Sequence, residues 1–545
     1  MIKTSESHPL QIGTLQLPYT DAKIGLTFCP GKKGPGLNSV RWERSLEKDL
    51  STIISWGATA LVTLVEDHEF GELQVPEFKE FIAASGLEWF HIPIVDGSIP
   101  DHRFHSAMQE CHCRILELLC EGARIVIHCR GGLGRTGLFA AMLLIDFGIE
   151  PEKAIAQVRA ARPGAIETSA QERYVHTYFS HNHRRNLNHY LGCLLGGAAG
   201  DALGAAVEFS SFAEIRQKYG ATGIQCYDTA YGRTGAITDD TQMTLFTAEG
   251  LLRACCRANE KGIGPSFPSM VHQAYRRWLK TQQNLYHPVD GNGWLINCSE
   301  LYSRRAPGGT CITALLDDRV RLRSDEVRHN TSKGCGAVMR AAPIGLFVQS
   351  PYLCRFWGAE QRNKEAFEIG QSTGYLTHGH PSGYLPAGFL ALLIGRIIDG
   401  DNLDTALDAC CKVLAGAPGA DETLAAVSQA RELAMEPGHV TGPEAVETLG
   451  DGWVGEEALA ISIYCALIAK EDFTHGIQLA VNHGGDSDST GAITGNILGA
   501  LLGVNHISQQ WLDELELREV LKKVAKDLFI GFSPRKQWWD SYPGF

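Results

Sequence analysis

Two segments of this chain carry glycine at every fourth position. The first contains Gly192, Gly196, Gly200 and Gly204, and the second contains Gly491, Gly495, Gly499 and Gly503. Residues spaced by four lie on nearly one face of an α-helix, so each segment has a stripe without side chains. Glycine inside a helix costs about 1 kcal/mol relative to alanine, and such repeats require a packing reason. The pattern predicts that the two helices pack together and join the ends of one helical domain.

Acidic residues and hydroxyls adjoin these stripes and one further helical segment. Asp201 and Glu208 flank the first stripe, Thr238 to Thr241 precede a helical pattern, and His483 to Thr490 precede the second stripe. Helix capping needs one acceptor per helix, which does not account for so many acids. Carboxylates clustered in a core repel each other unless a cation lies among them. Because hard oxygen ligands suit magnesium and manganese, the pattern predicts a pair of such ions.

These segments resemble the ADP-ribosylglycohydrolase family, relatives of the enzyme that reactivates ADP-ribosylated dinitrogenase reductase. The matching pieces, in family order, are Gly200 to Glu208, Thr238 to Thr241, Lys333 to Arg340, Leu376 to His378, and His483 to Thr490. The resemblance implies an all-α domain over residues 190–545 that holds two Mg²⁺ or Mn²⁺ ions in a cleft.

The same resemblance implies roles for individual residues. The implied metal ligands are Thr238, Asp239, Asp240, Asp486, Asp488 and Ser489, the last at a position where the family often has threonine. Glu208 matches an acidic residue that gates the site or assists water. Gly334, Gly336 and His378 fall where the family holds ADP-ribose, although a helix-start histidine bonded to backbone is an alternative for His378. The implied reaction cleaves the bond from ribose C1″ to its acceptor, by water attack rather than through a glycosyl-carboxylate.

A second motif spans residues 126–137 and contains His128, Cys129 and Arg135. An apolar run before it is typical of a buried strand, and the apolar run after it is typical of a helix. Backbone N–H groups at such a strand–turn–helix junction form an anion site. The helix N-terminus and Arg135 would stabilise Cys129 as a thiolate nucleophile, and the guanidinium fork suits two phosphate oxygens.

This motif resembles the signature loop of cysteine-dependent phosphatases, in the dual-specificity branch of the cyclin-dependent-kinase-associated type. The resemblance implies an α/β domain over residues 1–182 that forms a phosphocysteine and needs no cofactor. Phosphate would be bound by Arg130, Gly131, Gly132, Leu133, Gly134 and Arg135.

Other residues of this domain have candidate roles around that loop. Asp96 matches the acid that protonates the leaving group, and Asp101 is the alternative, for which helix N-capping is an equal explanation. Thr136 would help to discharge the phosphocysteine, and His128 would hold the loop. Gln171 either orients water or is a surface residue.

Composition and charge set limits on the whole chain. Strands and helices alternate before residue 180, whereas long helical patterns follow residue 186, so segment 183–189 is expected to be a linker in a multidomain protein. The formal net charge of −13 argues against a nucleic-acid footprint over the whole chain.

Residues 1–9 are polar, and no apolar run reaches the ~20 residues of a membrane span, so no signal peptide or membrane partner is expected. Scattered cysteines indicate a reducing, cytoplasmic protein.

The sequence therefore predicts a bifunctional hydrolase. One site would release ADP-ribose from an ADP-ribosylated protein or nucleotide adduct, and the other would hydrolyse a phosphorylated protein or a small phosphomonoester. In one alternative, one domain only binds phosphate or ADP-ribose as a sensor. In another, the protein is structural, like an eye-lens crystallin that shares the glycohydrolase fold. The segment 265–329, rich in Trp, Tyr and Arg, is expected to shape the choice of acceptor.

Overall fold

The computed structural model describes residues 2–35, 41–283, 285–287, 292–317, 330–436 and 442–544. The chain divides into two compact units, Met1–Asn186 and Leu187–Phe545. The first contains a mixed sheet with helices and the second is largely helical, which confirms the predicted fold class. A helix begins at Leu187, inside the segment that the sequence assigns to a linker. The acceptor-shaping segment 265–329 lies partly outside the described residues.

The elements of the first unit alternate along the chain. Its strands are β1 (Ile2–Lys3), β2 (Gly13–Gln16), β3 (Lys23–Phe28), β4 (Lys33–Pro35), β5 (Arg41–Glu43), β6 (Ala60–Thr63), β7 (Glu88–His91) and β8 (Arg124–Cys129). Its helices are α1 (Leu46–Ser55), α2 (Asp67–Glu72), α3 (Phe78–Ser85), α4 (His102–Cys120), α5 (Gly134–Asp146), α6 (Pro151–Ala161) and α7 (Ser169–Asn182).

The main sheet of this unit has the strand order β2-β3-β8-β6-β7. Strand β2 is antiparallel to β3, and the other pairs are parallel. The central strand β8 is buried from Ile125 to Cys129, as its unbroken apolar run predicts. It ends at Cys129 beside Phe28 of β3. The loop that follows therefore lies at the carboxyl edge of the sheet, where open α/β sheets bind ligands.

The second unit is built almost wholly of helices. They are α8 (Leu187–Gly204), α9 (Phe212–Tyr219), α10 (Asp239–Lys261), α11 (Phe267–Gln283), α12 (Gly309–Leu316), α13 (Ala342–Val348), α14 (Pro351–Cys354), α15 (Ala359–Tyr375), α16 (Pro381–Ile398), α17 (Leu403–Leu414), α18 (Asp421–Met435), α19 (Pro443–Glu447), α20 (Gly455–Ala469), α21 (Phe473–Val481), α22 (Ser487–Leu502), α23 (Gln509–Glu514), α24 (Arg518–Ile530) and α25 (Lys536–Ser541). The described residues also form a short hairpin of β9 (Thr229–Ala230) and β10 (Arg233–Thr234). Single 3₁₀ turns span Leu295–Asn297, Ser299–Leu301, Cys335–Ala337 and Val504–His506.

The two glycine stripes lie against each other, which confirms the predicted packing of α8 and α22. A Cβ atom added to Gly200 would lie 2.0 Å from the carbonyl oxygen of Gly491, and one on Gly495 would lie 2.0 Å from that of Gly196. Only glycine permits this approach of two backbones. At the end of the stripe, a Cβ on Gly204 would lie 2.5 Å from the amide nitrogen of Asp488. The close contact thus brings the acidic N-terminus of α22 to the acidic C-terminal end of α8.

Helix α16 is the most apolar long helix among the described residues. By length and composition alone it could cross a membrane, yet 83% of its apolar window is buried inside the protein. Its side chains belong to the core of the second unit, where Phe389, Leu390 and Leu393 are fully buried. Burial in a core explains its composition.

Candidate active sites

Cys129 occupies the last position of the central strand β8, directly before the loop that leads into α5. Its side chain is buried, and its sulfur accepts a hydrogen bond from the amide of Gly132 at 3.2 Å. Gly132 has φ +71°, and a Cβ there would lie 2.3 Å from the carbonyl oxygen of Thr27. Glycine is therefore required at this turn. Helix α5 directs its N-terminal amides toward the same loop.

Arg135, in the first turn of α5, is the centre of a buried network. Its guanidinium makes two hydrogen bonds to Glu69, at 2.5 and 2.9 Å, and one to the carbonyl oxygen of Ile94 at 2.9 Å. Burial lowers the pKa of Arg135, but the hydrogen bond that it donates to Glu69 and the negative charges of Cys129, Glu69 and Asp96 together raise it by more, so the net shift is upward. Glu69 is a functional residue that the sequence analysis missed, because it lies on α2, 66 positions away. No local pattern marks it.

Asp96 lies beside this guanidinium, with its Oδ1 atom 2.8 Å from an Arg135 nitrogen. Its side chain is 63% exposed, so it faces both the loop and solvent. The turn that carries it is held by Gln171, whose side-chain amide donates to the carbonyl oxygen of Ser98 at 3.1 Å. The structure thus brings together Cys129, Arg135 and the predicted acid.

Asp101 and Gln171, the two other candidate residues near Asp96, have structural roles. Asp101 caps α4 by accepting hydrogen bonds from the amides of Arg103 and Phe104. Gln171 is fully buried and caps α7 together with Thr168, so the interpretation of a surface residue is wrong. Its burial follows from its position against the acid turn, which a single sequence does not reveal.

His128, which precedes Cys129 in the chain, and Thr136, in the first turn of α5, are both buried. The Thr136 hydroxyl has no hydrogen-bond partner among the described residues. The His128 Nε2 atom lies 2.8 Å from the hydroxyl of Thr63, which also accepts a hydrogen bond from Trp89. Burial lowers the pKa of His128 to about 3, so this ring is neutral. A neutral, hydrogen-bonded ring suits the predicted role of holding the loop.

Two of the predicted phosphate-binding residues have other partners in this structure. The Gly134 amide donates to the carboxylate of Glu167 at 2.7 Å. The Arg130 side chain is half-exposed and pairs with Glu72 at 2.6 Å. Gly131 and Leu133 lie in the loop between them, as the sequence predicts. Glu167 carries negative charge to the helix N-terminus, where anions are stabilised.

In the second unit, the predicted acidic residues come from three helix boundaries. Asp201 lies near the end of α8, Asp239 and Asp240 begin α10, and Asp486 and Asp488 flank the start of α22. Asp201 accepts hydrogen bonds from the amides of Thr238 and Thr241 and so ties α8 to α10. Each of these side chains, and that of Glu208, is at most 6% exposed.

No basic side chain lies within 4.0 Å of any of these carboxylates in the described parts of the chain. Burial, reinforced by Asp488, raises the pKa of Asp201 to about 7 and that of Glu208 to about 10. The pKa values of Asp239 and Asp240 are also raised, first by burial and then by Asp488. A buried cluster without a counter-charge is unfavourable unless it is protonated or binds a cation.

Gly334, Gly336 and His378 meet beside this cluster. A Cβ on either glycine would lie 3.2 Å from the His378 ring. His378 is buried, and its Nδ1 atom lies 2.9 Å from the hydroxyl of Thr377. The Cys335 thiol, between the two glycines, donates to Asp486 at 2.7 Å. The predicted ligand-binding segment and the acidic cluster are therefore contiguous.

Two family models match the chain. The model described as ADP-ribosylglycohydrolase matches residues 182–537, which is more than half of the chain. The chain belongs to the ADP-ribosylglycohydrolase family. The model described as Swiss Army Knife protein, DSP-PTPase phosphatase domain, matches residues 41–175, so the chain carries a dual-specificity-phosphatase-like domain before its ADP-ribosylglycohydrolase-family domain.

Curated relatives match each part of the chain. The ADP-ribosyl-[dinitrogen reductase] glycohydrolase of Rhodospirillum rubrum is 27% identical over 61% of this chain and 93% of its own length. The ADP-ribosylarginine hydrolase Tri1 of Serratia proteamaculans is 25% identical over 62% of this chain and 78% of its own length. Cyclin-dependent kinase inhibitor 3 of Homo sapiens is 33% identical over 32% of this chain and 80% of its own length.

Members of the ADP-ribosylglycohydrolase family generally depend on divalent metal ions. In the described residues, no group of three His, Cys, Asp or Glu side chains converges closely enough to form a metal site by itself. The donor set nevertheless fits such ions. Asp240 Oδ1 and Glu208 Oε2 are buried and have no hydrogen-bond partner among the described residues. Ser489 and Thr238 add hydroxyl oxygens, and hard oxygen donors of this kind suit Mg²⁺ or Mn²⁺.

Proposed function

We propose that the protein is a bifunctional hydrolase that removes ADP-ribose from an ADP-ribosylated acceptor and phosphate from a phosphomonoester. The observation that carries the first activity is the buried acidic cluster without a basic partner. The placement of Asp96 and Arg135 beside the loop of Cys129 supports the second. A nucleophilic thiol requires a reducing environment, and this supports a cytoplasmic location.

In the phosphatase site, the Cys129 thiolate attacks phosphorus and the bond to the leaving alkoxide breaks. Arg135 and the loop amides bind the phosphoryl oxygens, and the buried pair with Glu69 fixes the plane of the guanidinium. Asp96 protonates the leaving oxygen and then takes a proton from the water that hydrolyses the phosphocysteine. The buried Thr136 hydroxyl donates to the departing sulfur.

In the glycohydrolase site, Thr238, Asp239, Asp240, Asp486, Asp488 and Ser489 would hold two divalent cations. Bound cations would neutralise these carboxylates and polarise the ribose. Gly334 and Gly336 leave room for the ADP-ribose backbone, and His378 lies against both glycines. With cations bound, Glu208 would be ionised, and its unpartnered oxygen would accept a proton from the water that attacks C1″. That proton would pass to the departing acceptor, so that free ADP-ribose forms.

The glycohydrolase is tested by ADP-ribose release from arginine-, serine- and phosphate-linked ADP-ribosyl substrates, followed by mass spectrometry. We expect release with magnesium, none with a chelator, and a loss of at least about 100-fold in Asp239→Asn. Asp404→Asn is the matched control, because Asp404 also lies in the first turn of a helix, α17, but is exposed. Tight ADP-ribose binding without release from any substrate would instead identify a sensor.

The phosphatase is tested with p-nitrophenyl phosphate and an alkyl phosphate. Cys129→Ser should abolish turnover of both, whereas Cys111→Ser, on helix α4, should retain it. Asp96→Asn should lower the rate of hydrolysis of the alkyl phosphate by about 100-fold or more. The rate for the aryl phosphate should fall less, because the aryl leaving group needs less protonation. If Asp101→Asn, rather than Asp96→Asn, gives this pattern, then Asp101 is the acid.

A further inference from the structure

Two cationic side chains hydrogen-bond to the loop that follows Cys129. The Lys32 ammonium donates to the carbonyl oxygen of Arg130 at 3.4 Å. Arg162 donates to the carbonyl oxygen of Gly132 at 3.2 Å and to that of Gly131 at 3.4 Å. Both cations therefore lie against the same three-residue stretch of the loop. Neither takes part in the proposed cleavage of the phosphomonoester.

These two cations have no carboxylate partner within 4.0 Å among the described residues, unlike the cations around them. Arg44 pairs with Asp49 at 2.7 Å, Arg130 pairs with Glu72, and Arg135 pairs with Glu69. The adjoining residues 36–40 contain no acidic residue in the sequence. Within the described ranges, the positive charge of Lys32 and Arg162 is therefore not neutralised by a carboxylate.

Aromatic rings hold these cations in place. The Lys32 nitrogen lies 4.3 Å from the centre of the Phe28 ring and 4.5 Å from that of Trp42. The Arg162 guanidinium carbon lies 5.8 Å from the Phe28 ring. Cation–π contacts of this kind hold a cation over a ring. A lysine ammonium has three N–H donors and an arginine guanidinium five, which is more than the loop carbonyls accept here.

The electrostatics of the site favour an anion. Burial lowers the pKa of Lys32 to about 8, with a further lowering from Arg162 and Arg44 and an opposing effect of Cys29 and Cys129. Burial also lowers the pKa of Arg162, against the effect of Cys129. Both cations are thus destabilised by desolvation and lie within electrostatic range of the nucleophile. A bound anion would relieve that cost.

We infer that the phosphatase site takes a small phosphomonoester that carries a second phosphate or diphosphate group, seated on Lys32 and Arg162. The proposal rests on the proposed phosphatase function of Cys129. Arg135 and the loop amides already bind the phosphate that is cleaved, so this phosphate does not require two further cations. Because both cations touch one short stretch of loop, the second anion lies beside the first. Two phosphate groups on one small molecule meet this requirement better than two residues on opposite faces of an extended peptide.

The binding test uses the full chain with Cys129→Ser, titrated with orthophosphate and with pyrophosphate in a calorimeter. We expect pyrophosphate to bind at least about tenfold more tightly, and this ratio to fall toward one in the Lys32→Met, Arg162→Met variant. Lys33→Met removes the same charge from the adjacent residue and should keep the ratio. Equal affinity for both anions, or an equal loss in Lys33→Met, would overturn the proposal.

Arg162 also supports the loop, so conservative variants separate charge from folding. The single variants Lys32→Arg and Arg162→Lys each keep the charge. In each, the ratio of pyrophosphate affinity to orthophosphate affinity should stay at or above about a third of its original value. Loss of that preference in both variants, with unchanged thermal unfolding, would contradict a site defined by charge.

The turnover test compares adenosine 3′,5′-bisphosphate with adenosine 3′-monophosphate. We expect kcat/KM to favour the bisphosphate at least about tenfold, with the preference lost in Lys32→Met, Arg162→Met. A preference that appears only with doubly phosphorylated peptides would overturn the small-molecule assignment. Pyrophosphate binding that depends on both cations, without turnover of any phosphomonoester, would leave the anion site in place and refute the phosphatase function alone.

Discussion

The Arg135–Glu69 pair ties the geometry of the phosphatase site to the stability of the first unit. Both side chains are almost completely buried, at 1% and 3% exposure. Breaking a buried pair costs about 3–5 kcal/mol when the remaining charge has no other partner, and here Arg135 keeps the exposed carboxylate of Asp96, so the loss should lie toward the lower end of this range. We predict that Glu69→Gln lowers the free energy of unfolding by an amount in this range and lowers kcat/KM by more than about tenfold. Chemical denaturation and steady-state kinetics measure the two effects.

The matched control for this variant is Glu72→Gln, on the same helix α2. Glu72 pairs with Arg130, and these side chains are 50% and 45% exposed. Exposed pairs contribute about 0–1 kcal/mol, so stability should change little. Similar losses in the two variants would show that the helix, and not the buried pair, is the source of the effect.

His128 gives the first unit a defined response to acid. Its pKa is about 3 in the folded chain, because burial disfavours the charged ring, and it is near 6.5 when unfolded. A depressed pKa means that the unfolded state takes up the proton first. The stability is therefore complete above pH 6.5 and falls by about 1.4 kcal/mol per pH unit as the pH drops toward 3.

We predict that His128→Gln removes this one-proton slope between pH 6 and pH 4.5. Glutamine can still hydrogen-bond to Thr63, so the comparison isolates the titration. Hydrogen exchange of the β8 amides in the full chain, corrected for intrinsic rates, measures the slope. His102→Gln, at the exposed start of α4, should keep the wild-type slope. An unchanged slope in His128→Gln would contradict the assignment.

At the scale of elements, the contact between α8 and α22 depends on the missing side chains of its glycines. A methyl group on Gly495 would lie 2.0 Å from the carbonyl oxygen of Gly196, a backbone atom that cannot move alone. We predict that Gly495→Ala lowers the free energy of unfolding by about 1–3 kcal/mol or more, despite the better helix propensity of alanine. Thermal unfolding of the magnesium-free protein measures this loss.

Gly395, in the interior of α16, is the control for that substitution. A Cβ there would meet its nearest atom, the carbonyl oxygen of Gly345, at an ordinary 3.6 Å. We expect Gly395→Ala to be neutral or to stabilise the protein by up to about 1 kcal/mol. Equal destabilisation by both substitutions would contradict the account of the stripe.

The elements also show what a sequence can predict. The loop of Cys129 and the glycine stripes are local patterns whose spacing fixes their geometry, and the structure contains both. Glu69, Glu167, Lys32 and Arg162 come from distant parts of the sequence, and only the tertiary fold brings them to the loop. The same limit applies to Gln171, whose burial depends on the acid turn that packs over it. Local spacing in the sequence predicts the loop that follows Cys129, whereas the charged residues that contact this loop are placed by tertiary contacts.

At the scale of the whole molecule, each unit has its own core and its own chemistry. The first unit buries Leu61, Phe78 and Val126 around its sheet, and the second buries Tyr464 and Ala480 among its helices. One site is electropositive and suits phosphate, whereas the other is electronegative and suits divalent cations. A ligand that binds only the folded form of one unit stabilises that unit alone.

We therefore predict two calorimetric transitions that respond to different ligands. Magnesium should raise only the Tm of the second unit, and phosphate only the Tm of the first. Each ligand, at about 100 times its Kd, should raise that Tm by several degrees. Asp239→Asn should abolish the magnesium response and keep the phosphate response, and Arg135→Lys should do the reverse. A single transition that both ligands raise would mean that the units unfold together. If so, binding at one site would change the stability of the other unit, and the two sites could not be regarded as independent.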